Sequence, residues 1–178
     1  MKILFISDIH GIKTNLPKIK VRFKELNCNK LIVLGDLYYN GNKMFKDYAP
    51  NYVREFLESF KENLICIKGN CDSEADKLSS NFLIVDELVT IKTTNNNIYL
   101  THGHIYNEHN WNRTNSILVY GHSHKPFIKE SKTNIYISPG SISLPRNNIG
   151  PTYLYYDENQ FIIYDINDHE IAKKVLKT

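Results

Sequence analysis

The strongest constraint on this chain is a short apolar run at residues 31–34 that ends in Gly35 and Asp36. Four consecutive apolar residues between polar segments are typical of a buried strand, so Asp36 is expected on the loop just beyond it. In open α/β sheets, ligands bind outside the carboxyl ends of the strands. The position of Asp36 therefore predicts that this carboxylate belongs to a binding site.

Two further apolar runs, residues 3–6 and 64–67, also end in polar motifs. Apolar residues with helical spacing lie between the runs, over 15–26 and 52–60, and residues 40–42 predict a turn. A strand, a helix and a second strand form a βαβ unit, whose strands are parallel. Because parallel strands end at the same edge of a sheet, we expect the three polar motifs to form one composite site.

The second half of the chain is predicted to be mostly β. The predicted strands are 82–85, 88–92, 98–101, 117–120, 126–129, 135–138, 152–156 and 160–166. Turns are predicted at 95–97 and 157–159, and a helical turn around 108–113. The segment 169–178 fits either a final strand or a short helix. Because no linker rich in Pro, Gly or Ser divides the chain, residues 1–178 are expected to form a single domain.

Composition excludes several classes of protein. Hydrophobic residues make up 42% of the chain and charged residues 23%, as in an ordinary globular domain. The net charge of +3 is mild and the lysines are spread out, so neither nucleic acid nor a membrane surface is an expected partner. No run approaches the roughly 18 apolar residues of a membrane helix. Three cysteines without CxxC spacing predict no disulfide framework, and hence a reducing, cytoplasmic setting.

Polar side chains that suit metal ions follow most of the predicted strand ends. They are Asp8, His10, Asp36, Asn70, His102, His104, His122 and His124. Five of the eight glycines adjoin one of these residues, as expected where backbone packs closely around a small object. Carboxylates, imidazoles and an amide suit Mn²⁺, Fe²⁺ or Zn²⁺, and there are too many ligands for one ion. Two ions about 3.5–4 Å apart can clamp a phosphoryl group and activate a shared water, which is the chemistry we infer.

The motifs in this order resemble those of the calcineurin-like metallophosphoesterase superfamily. The matching residues are Asp8-x-His10, Gly35-Asp36, Gly69-Asn70, His102 and Gly121-His122-x-His124. The short chain and three further segments are similar to the small YfcE-type phosphodiesterase branch of that superfamily. These segments are Gly69-Asn70-Cys71-Asp72, Thr101-His102-Gly103-His104 and Ser138-Pro139-Gly140-Ser141. The resemblance extends from Lys2 to about Tyr164.

The resemblance implies an α/β fold with a two-sheet sandwich flanked by helices, in the order α/β/β/α. It also implies two divalent metal ions, with Mn²⁺ preferred and Ni²⁺, Zn²⁺, Fe²⁺ or Mg²⁺ as alternatives. The implied ligands are Asp8, His10 and His124 for the first ion, Asn70, His102 and His122 for the second, and Asp36 as the bridge. A bridging hydroxide would then attack phosphorus, with Asp36 and Asn70 acting in catalysis through the metals.

One position departs from the pattern of many phosphatases in the superfamily. Where a histidine often follows the motif asparagine and helps to protonate the leaving group, this chain has Cys71. A thiol is a poorer proton donor near neutral pH and carries no cationic charge. His104 is the alternative donor or phosphate contact, and the sequence leaves the choice between the two open. Asp72 is expected beside the metals in a supporting role.

The favoured function is that of a metal-dependent phosphodiesterase acting on a small phosphodiester. A phosphomonoesterase or nucleotidase is the nearest alternative. A metal-binding scaffold for protein assembly is a third, because the retromer subunit of this fold is similar in architecture. The presence of all seven implied ligands argues against the scaffold, and the short chain leaves little room for the capping domain of a nuclease. The resemblance further implies a homodimer or homotetramer.

Overall fold

The strands of this chain form two mixed sheets, one of seven strands and one of five. The computed structural model describes residues 1–39, 45–93, 96–146 and 148–176. The turn predicted at 40–42 and residue 95 of the turn predicted at 95–97 lie outside these ranges. The strands, helices and sheet orders given below refer to the described residues.

The first half of the chain alternates strands and helices. Its elements are β1 (Ile3–Ile6), α1 (Leu16–Glu25), β2 (Lys30–Val33), α2 (Pro50–Glu58), a 3₁₀ turn (Lys61–Asn63), β3 (Leu64–Ile67) and α3 (Glu74–Ser79). The second half contains strands β4 (Ile84–Val85), β5 (Val89–Lys92), β6 (Asn97–Thr101), β7 (Ser116–Tyr120), β8 (Pro126–Glu130), β9 (Asn134–Pro139), β10 (Thr152–Tyr156), β11 (Gln160–Asp165) and β12 (Glu170–Val175).

The seven-stranded sheet has the order β12-β11-β10-β1-β2-β3-β4, and the five-stranded sheet has the order β5-β6-β7-β9-β8. Strand β2 pairs in parallel with both β1 and β3, and β6 pairs in parallel with β7. The βαβ unit predicted from the sequence is therefore present. As a result, the loops that follow β1, β2 and β3 leave the first sheet at one edge.

Strand β1 is buried on both faces, which explains why its sequence is a continuous apolar run. Leu4 faces the layer that contains Ile19 of α1 and residues of α2. Phe5 faces the layer between the sheets, where it packs with Val119 of β7. The helices thus cover the outside of the seven-stranded sheet, while the inner faces of the two sheets share one apolar layer.

A loop with aromatic residues packs near the five-stranded sheet. The indole ring of Trp111 lies 5.0 Å from the ring of Tyr99 on β6, and the guanidinium of Arg113 lies 4.9 Å from the same tyrosine ring. The helical turn predicted at 108–113 is a single turn, in which the Trp111 N–H donates to the carbonyl of Asn107 at 3.0 Å.

The predicted fold class, a two-sheet sandwich with helices, is confirmed. The predicted strands are present with boundaries shifted by one or two residues, and 157–159 forms the turn between β10 and β11. The C-terminal segment, for which the sequence fits either a strand or a short helix, contains strand β12. Helix α3 was not predicted, although Ser73 and Asp76 form a capping box at its first turn. The single domain predicted for residues 1–178 stays a prediction, which the shared apolar layer supports.

We predict that Phe5→Ala lowers the free energy of unfolding by about 3–5 kcal/mol, because the ring is fully buried between the sheets. The matched control is Phe45→Ala at a residue that is 44% exposed. We expect the control to change the free energy of unfolding by less than about 0.5 kcal/mol. Urea denaturation followed by circular dichroism measures both, and similar losses in the two variants would contradict this description of the core.

Candidate metal centre

The polar residues predicted from the strand ends converge at the edge where the two sheets meet. Asp8 and His10 follow β1, Asp36 follows β2, Asn70 follows β3, His102 and His104 follow β6, and His122 and His124 follow β7. These loops follow five strands, of which β1, β2 and β3 are paired in parallel in the seven-stranded sheet and β6 and β7 are paired in parallel in the five-stranded sheet. The composite site predicted from the first three motifs is therefore formed by both halves of the chain.

Four of these side chains are close enough to share one ion. Ligand atoms of Asp8, His10, Asp36 and His124 all lie within 4.8 Å of one another, and all four residues are buried. The Nε2 atom of His10 lies 3.3 Å from Nε2 of His124 and 3.5 Å from Oδ2 of Asp36. The Nε2 atom of His124 lies 3.4 Å from Oδ1 of Asp8.

A second group lies at the other carboxylate oxygen of Asp36. The Nε2 atom of His102 is 3.5 Å from Oδ1 of Asp36 and 3.0 Å from Oδ1 of Asn70. The ring of His102 is 5.1 Å from the ring of His122 and 5.3 Å from the ring of His104. Asp36 therefore lies between two groups of side chains, with Oδ2 directed to one and Oδ1 to the other.

Three of the imidazoles are oriented by backbone carbonyls. The Nδ1 atoms of His10, His102 and His124 lie 2.7, 2.6 and 2.6 Å from the carbonyl oxygens of Tyr39, Leu34 and Leu144. A carbonyl only accepts hydrogen bonds, so Nδ1 carries the proton and Nε2 of the neutral ring keeps its lone pair. Partners of this kind commonly fix the rings of metal-binding histidines. In its neutral form each ring thus presents an unprotonated nitrogen to the site.

The donor set fits a cation for a further reason. Oδ1 of Asp8 is buried and has no hydrogen-bond partner among the described residues. A buried carboxylate oxygen without a partner is costly, and so are two facing nitrogen lone pairs, here those of His10 and His124. A divalent ion among these atoms would satisfy all of them, so the cluster is a potential metal-binding site.

The backbone at the site is strained in a consistent way. Five candidate ligands have positive φ, namely Asp8 at 55°, His10 at 51°, Asp36 at 55°, His122 at 63° and His124 at 58°. This left-handed conformation costs about 1–3 kcal/mol for a residue other than glycine, although Asp and His tolerate it better than most. The strain directs successive side chains into the site, and the surrounding contacts must maintain it.

Close backbone approach explains two of the glycines that adjoin the ligands. A Cβ atom on Gly69 would lie 2.1 Å from Oδ1 of Asp36, and one on Gly121 would lie 1.8 Å from Oγ of Ser7. Any side chain at either position would push the loops apart. The glycines therefore allow the strand-end loops to pack against one another directly.

Asp72 joins the loops that follow β2 and β3. Its buried carboxylate accepts hydrogen bonds from the N–H groups of Asp36 at 2.8 Å, Leu37 at 2.7 Å and Gly69 at 2.7 Å. The supporting position expected for Asp72 is thus where the structure places it. Hydrogen bonds to an ionised acceptor are stronger than those between neutral groups, so this carboxylate fixes the backbone around Asp36.

Ser141 has a similar position on the other side of the site, which the sequence did not reveal. Its hydroxyl donates to the carbonyl oxygen of Asp8 at 2.8 Å and accepts from the N–H of Leu144 at 2.8 Å. The carbonyl of Leu144 in turn orients His124. In the sequence, segment 138–141 indicates only a family resemblance, whereas the contacts of Ser141 with Asp8 and Leu144 give it a physical role.

Burial and charge act in opposite directions on the two aspartates. Burial raises the pKa of the Asp8 carboxyl to about 6, despite the nearby His102. Burial would also raise the pKa of Asp36, but its contacts with His102, the N–H of Cys71 and His10 hold that pKa well below its ordinary value. For His102, burial lowers the pKa, but the contacts with Asp36 and Asp8 outweigh it and raise the pKa. Asp36 is therefore the carboxylate that the site keeps ionised.

The two candidate proton donors lie at different places beside the site. The N–H of Cys71 donates to Oδ1 of Asp36 at 2.9 Å, and burial together with that carboxylate raises the pKa of the thiol to about 12. The imidazole of His104 is exposed, and its ring lies 6.2 Å from that of His122. Burial of part of its ring and the neighbouring His102 lower the pKa of His104.

Comparison with known proteins defines the class of this chain. Residues 1–160 match the model of the calcineurin-like phosphoesterase superfamily domain. The chain belongs to this superfamily. The chain is therefore a hydrolase that acts on phosphoric ester bonds, and its family is metal-dependent.

Individual relatives agree with this assignment. The chain is 31% identical to phosphodiesterase YfcE of Escherichia coli K12 over an alignment 179 positions long, which covers 98% of this chain and 97% of the relative. It is 28% identical to the probable metallophosphoesterase YsnB of Bacillus subtilis, with coverage of 82% and 78%. The recognised family and branch are therefore confirmed.

Solved structures show the same fold. The structure of the Escherichia coli phosphoesterase YfcE superimposes with a TM-score of 0.93 at 29% identity, covering 99% of this chain and 100% of that one. Vps29 of Entamoeba histolytica with zinc superimposes with a TM-score of 0.61 at 20% identity, covering 99% and 98%, which shows the fold alone. Within the described residues of this chain, none of the helices has the length and apolar character needed to cross a bilayer.

We predict that Asp72→Asn lowers the free energy of unfolding by about 1–3 kcal/mol, since one amide oxygen cannot replace a carboxylate that accepts three buried N–H groups. We also expect weaker binding of Mn²⁺, because the loop that carries Asp36 loses its support. Urea denaturation and calorimetric titration with Mn²⁺ measure the two effects.

The matched control is Asp86→Asn, at an exposed carboxylate whose ion pair is with Lys77. Exposed ion pairs are screened by solvent and contribute little to stability, so this variant should keep nearly all of its stability and its affinity for Mn²⁺. Equal effects of the two substitutions would show that Asp72 does not support the site.

Proposed function

We propose that this protein is a phosphodiesterase that hydrolyses a small phosphodiester with two divalent metal ions. Mn²⁺ is the preferred ion, with Ni²⁺, Zn²⁺, Fe²⁺ or Mg²⁺ as alternatives. The observation that carries the proposal is the position of Asp36, whose two carboxylate oxygens face two separate groups of nitrogen and oxygen ligands. A single carboxylate between two such groups is the arrangement that a dinuclear centre requires.

The proposed ligands divide between the two sides of Asp36. Asp8, His10 and His124 hold one ion, Asn70, His102 and His122 hold the other, and Asp36 bridges them. The first set is supported by its mutual distances within 4.8 Å and by the unpartnered oxygen of Asp8. The second set is supported by the contacts of His102 with Asn70 and His122.

The bound ions would supply a hydroxide nucleophile at neutral pH and would stabilise the charge that develops on the phosphate oxygens. The chain itself contributes orientation, because carbonyl contacts hold His10, His102 and His124 with Nε2 toward the site. Asp72 keeps the loop of Asp36 in place. Together these contacts keep the ligands in position during turnover.

We further propose that His104, rather than Cys71, donates the proton to the leaving group. The thiol of Cys71 has a pKa near 12, so it keeps its proton and releases it poorly at neutral pH. His104 is exposed beside His102 and can contact a substrate directly. A single domain, a cytoplasmic location and assembly as a homodimer or homotetramer remain part of the proposal as predicted from the sequence.

The direct test is hydrolysis of bis(p-nitrophenyl) phosphate after the protein is stripped with chelator and refilled with Mn²⁺, Ni²⁺, Zn²⁺ or Mg²⁺. We expect turnover to disappear on stripping and to return with metal. Comparison with p-nitrophenyl phosphate separates a diesterase from a monoesterase, and a higher kcat/KM for the monoester would favour the nucleotidase alternative. An absence of turnover with every metal would contradict the proposed enzymatic activity and would favour the scaffold alternative.

Metal content tests the bridging role. We predict that Asp36→Asn loses both bound ions, whereas His124→Ala loses mainly one, because Asp36 contacts both ligand groups and His124 only one. Elemental analysis of the metal-loaded, desalted variants measures the number of ions per chain. Equal losses in the two variants would contradict a bridging Asp36.

Leaving-group dependence tests the proton donor. We predict that His104→Ala reduces kcat for an alkyl diester by about 10²–10⁴-fold. The effect on bis(p-nitrophenyl) phosphate should be much smaller, because p-nitrophenolate leaves without a proton. Since a donor must be protonated and the pKa of His104 is lowered, the His104-dependent rate should fall as the pH rises through that pKa.

Two controls accompany this measurement. His109→Ala alters a histidine whose side chain is 84% exposed, and it should change neither rate. Cys71→Ala should change the alkyl rate less than His104→Ala does. If removal of His104 left the alkyl rate intact, the assignment of the donor would be wrong.

A further inference from the structure

A pocket of about 350 Å³ that includes Cys71 in its wall opens beside the candidate metal centre. Tyr38, Tyr39, Tyr48, Arg54, Cys71 and Asp76 contribute to its wall. The carbonyl of Tyr39 accepts the hydrogen bond from His10, and the N–H of Cys71 donates to Asp36. A group bound in this pocket would therefore adjoin a phosphate held at the metal centre.

The aromatic wall of this pocket is held in place by contacts with the loop that follows β1. Tyr48 pairs with Ile12 in an isolated β-bridge, and the N–H of Ala49 donates to the carbonyl of Gly11 at 2.7 Å. A Cβ atom on Gly11 would lie 2.4 Å from the ring of Tyr48, so glycine is required for the ring to lie there. Tyr39 is 56% exposed and offers a second aromatic face to an incoming group.

The same pocket contains a cation, Arg54, that has no acidic partner among the described residues. The guanidinium of Arg54 lies 5.2 Å from the ring centre of Tyr38, and its hydrogen bonds are long, at 3.4 Å to Asn51 and 3.2 Å to Ser79. Its Nε is buried and has no partner among the described residues. Within those residues no carboxylate lies within 4.0 Å of the guanidinium.

Among the described residues the pocket wall contains one carboxylate, that of Asp76, and its Oδ2 already accepts hydrogen bonds. Oδ2 of Asp76 accepts hydrogen bonds from the N–H and the hydroxyl of Ser73, each at 2.8 Å, at the start of α3. The guanidinium of Arg54 therefore retains donors and a positive charge for a ligand. A guanidinium can bind a carboxylate or a phosphate through two parallel hydrogen bonds.

We propose that this pocket binds one organic substituent of the phosphodiester, and that the substituent combines an aromatic ring with a negative charge. The ring packs on Tyr39 and Tyr48, and the charge pairs with Arg54, which is thus a specificity-determining residue. This inference rests on the proposed phosphodiesterase function. It adds the chemical class of one of the two groups that the phosphate joins.

The test compares phenyl phosphate with 4-carboxyphenyl phosphate as competitive inhibitors of bis(p-nitrophenyl) phosphate hydrolysis by the Mn²⁺-loaded protein. We expect the carboxylate to lower the inhibition constant about tenfold, as expected for a charge-assisted hydrogen bond. Arg54→Gln should reduce that ratio to about one, and Arg54→Lys, which keeps the charge but not the two-pronged geometry, should give an intermediate ratio.

The matched control is Arg113→Gln, because Arg113 is also stacked on aromatic rings but lies on the loop beside the five-stranded sheet. This variant should keep the full ratio. Equal inhibition constants in the unaltered protein, or a ratio that survives in Arg54→Gln, would overturn the inference. If no diester is hydrolysed, the proposed function fails, and calorimetric titration with the same two compounds still decides whether the pocket prefers the carboxylate.

Discussion

The three hydrogen bonds to the carboxylate of Asp72 are the interaction on which the site depends. They join the backbone at Asp36 and Leu37 to that at Gly69, so they hold together the loops after two neighbouring strands. Ser141 joins Asp8 to the segment that orients His124. These buried contacts offset the cost of a left-handed backbone at the ligands, because strained residues persist only where their surroundings over-determine them.

Much of this arrangement follows from local features of the sequence. The runs at 3–6 and 64–67 are strands because they are short, apolar and rich in β-branched residues. Parallel pairing then brings the strand-end residues to one edge of the sheet, which is why their convergence could be predicted without a structure. Helix α3 could also have been predicted, since Ser73 and Asp76 have the spacing of a capping box.

Other features could not be predicted from the sequence because they depend on contacts between distant segments. The histidine rings are oriented by backbone carbonyls, such as that of Leu144 for the ring of His124. Every residue type has such a carbonyl, so the sequence does not indicate which one makes the contact. Positive φ at Asp8 or His122 depends on how the loops pack rather than on a glycine in the sequence. The pocket wall joins Tyr39, Arg54 and Cys71 from three separate segments, so no sequence motif predicts it.

A metal ion that partnered the buried oxygen of Asp8 would couple the supply of metal to the amount of folded protein. An ion that binds the native cluster but not the unfolded chain stabilises the fold by about 2.7 kcal/mol when its free concentration is a hundred times its dissociation constant. Domains are stable by only about 5–15 kcal/mol in total, so this contribution is a substantial share. Under metal starvation the chain would lose resistance to proteolysis together with activity, and its abundance would report the availability of the ion.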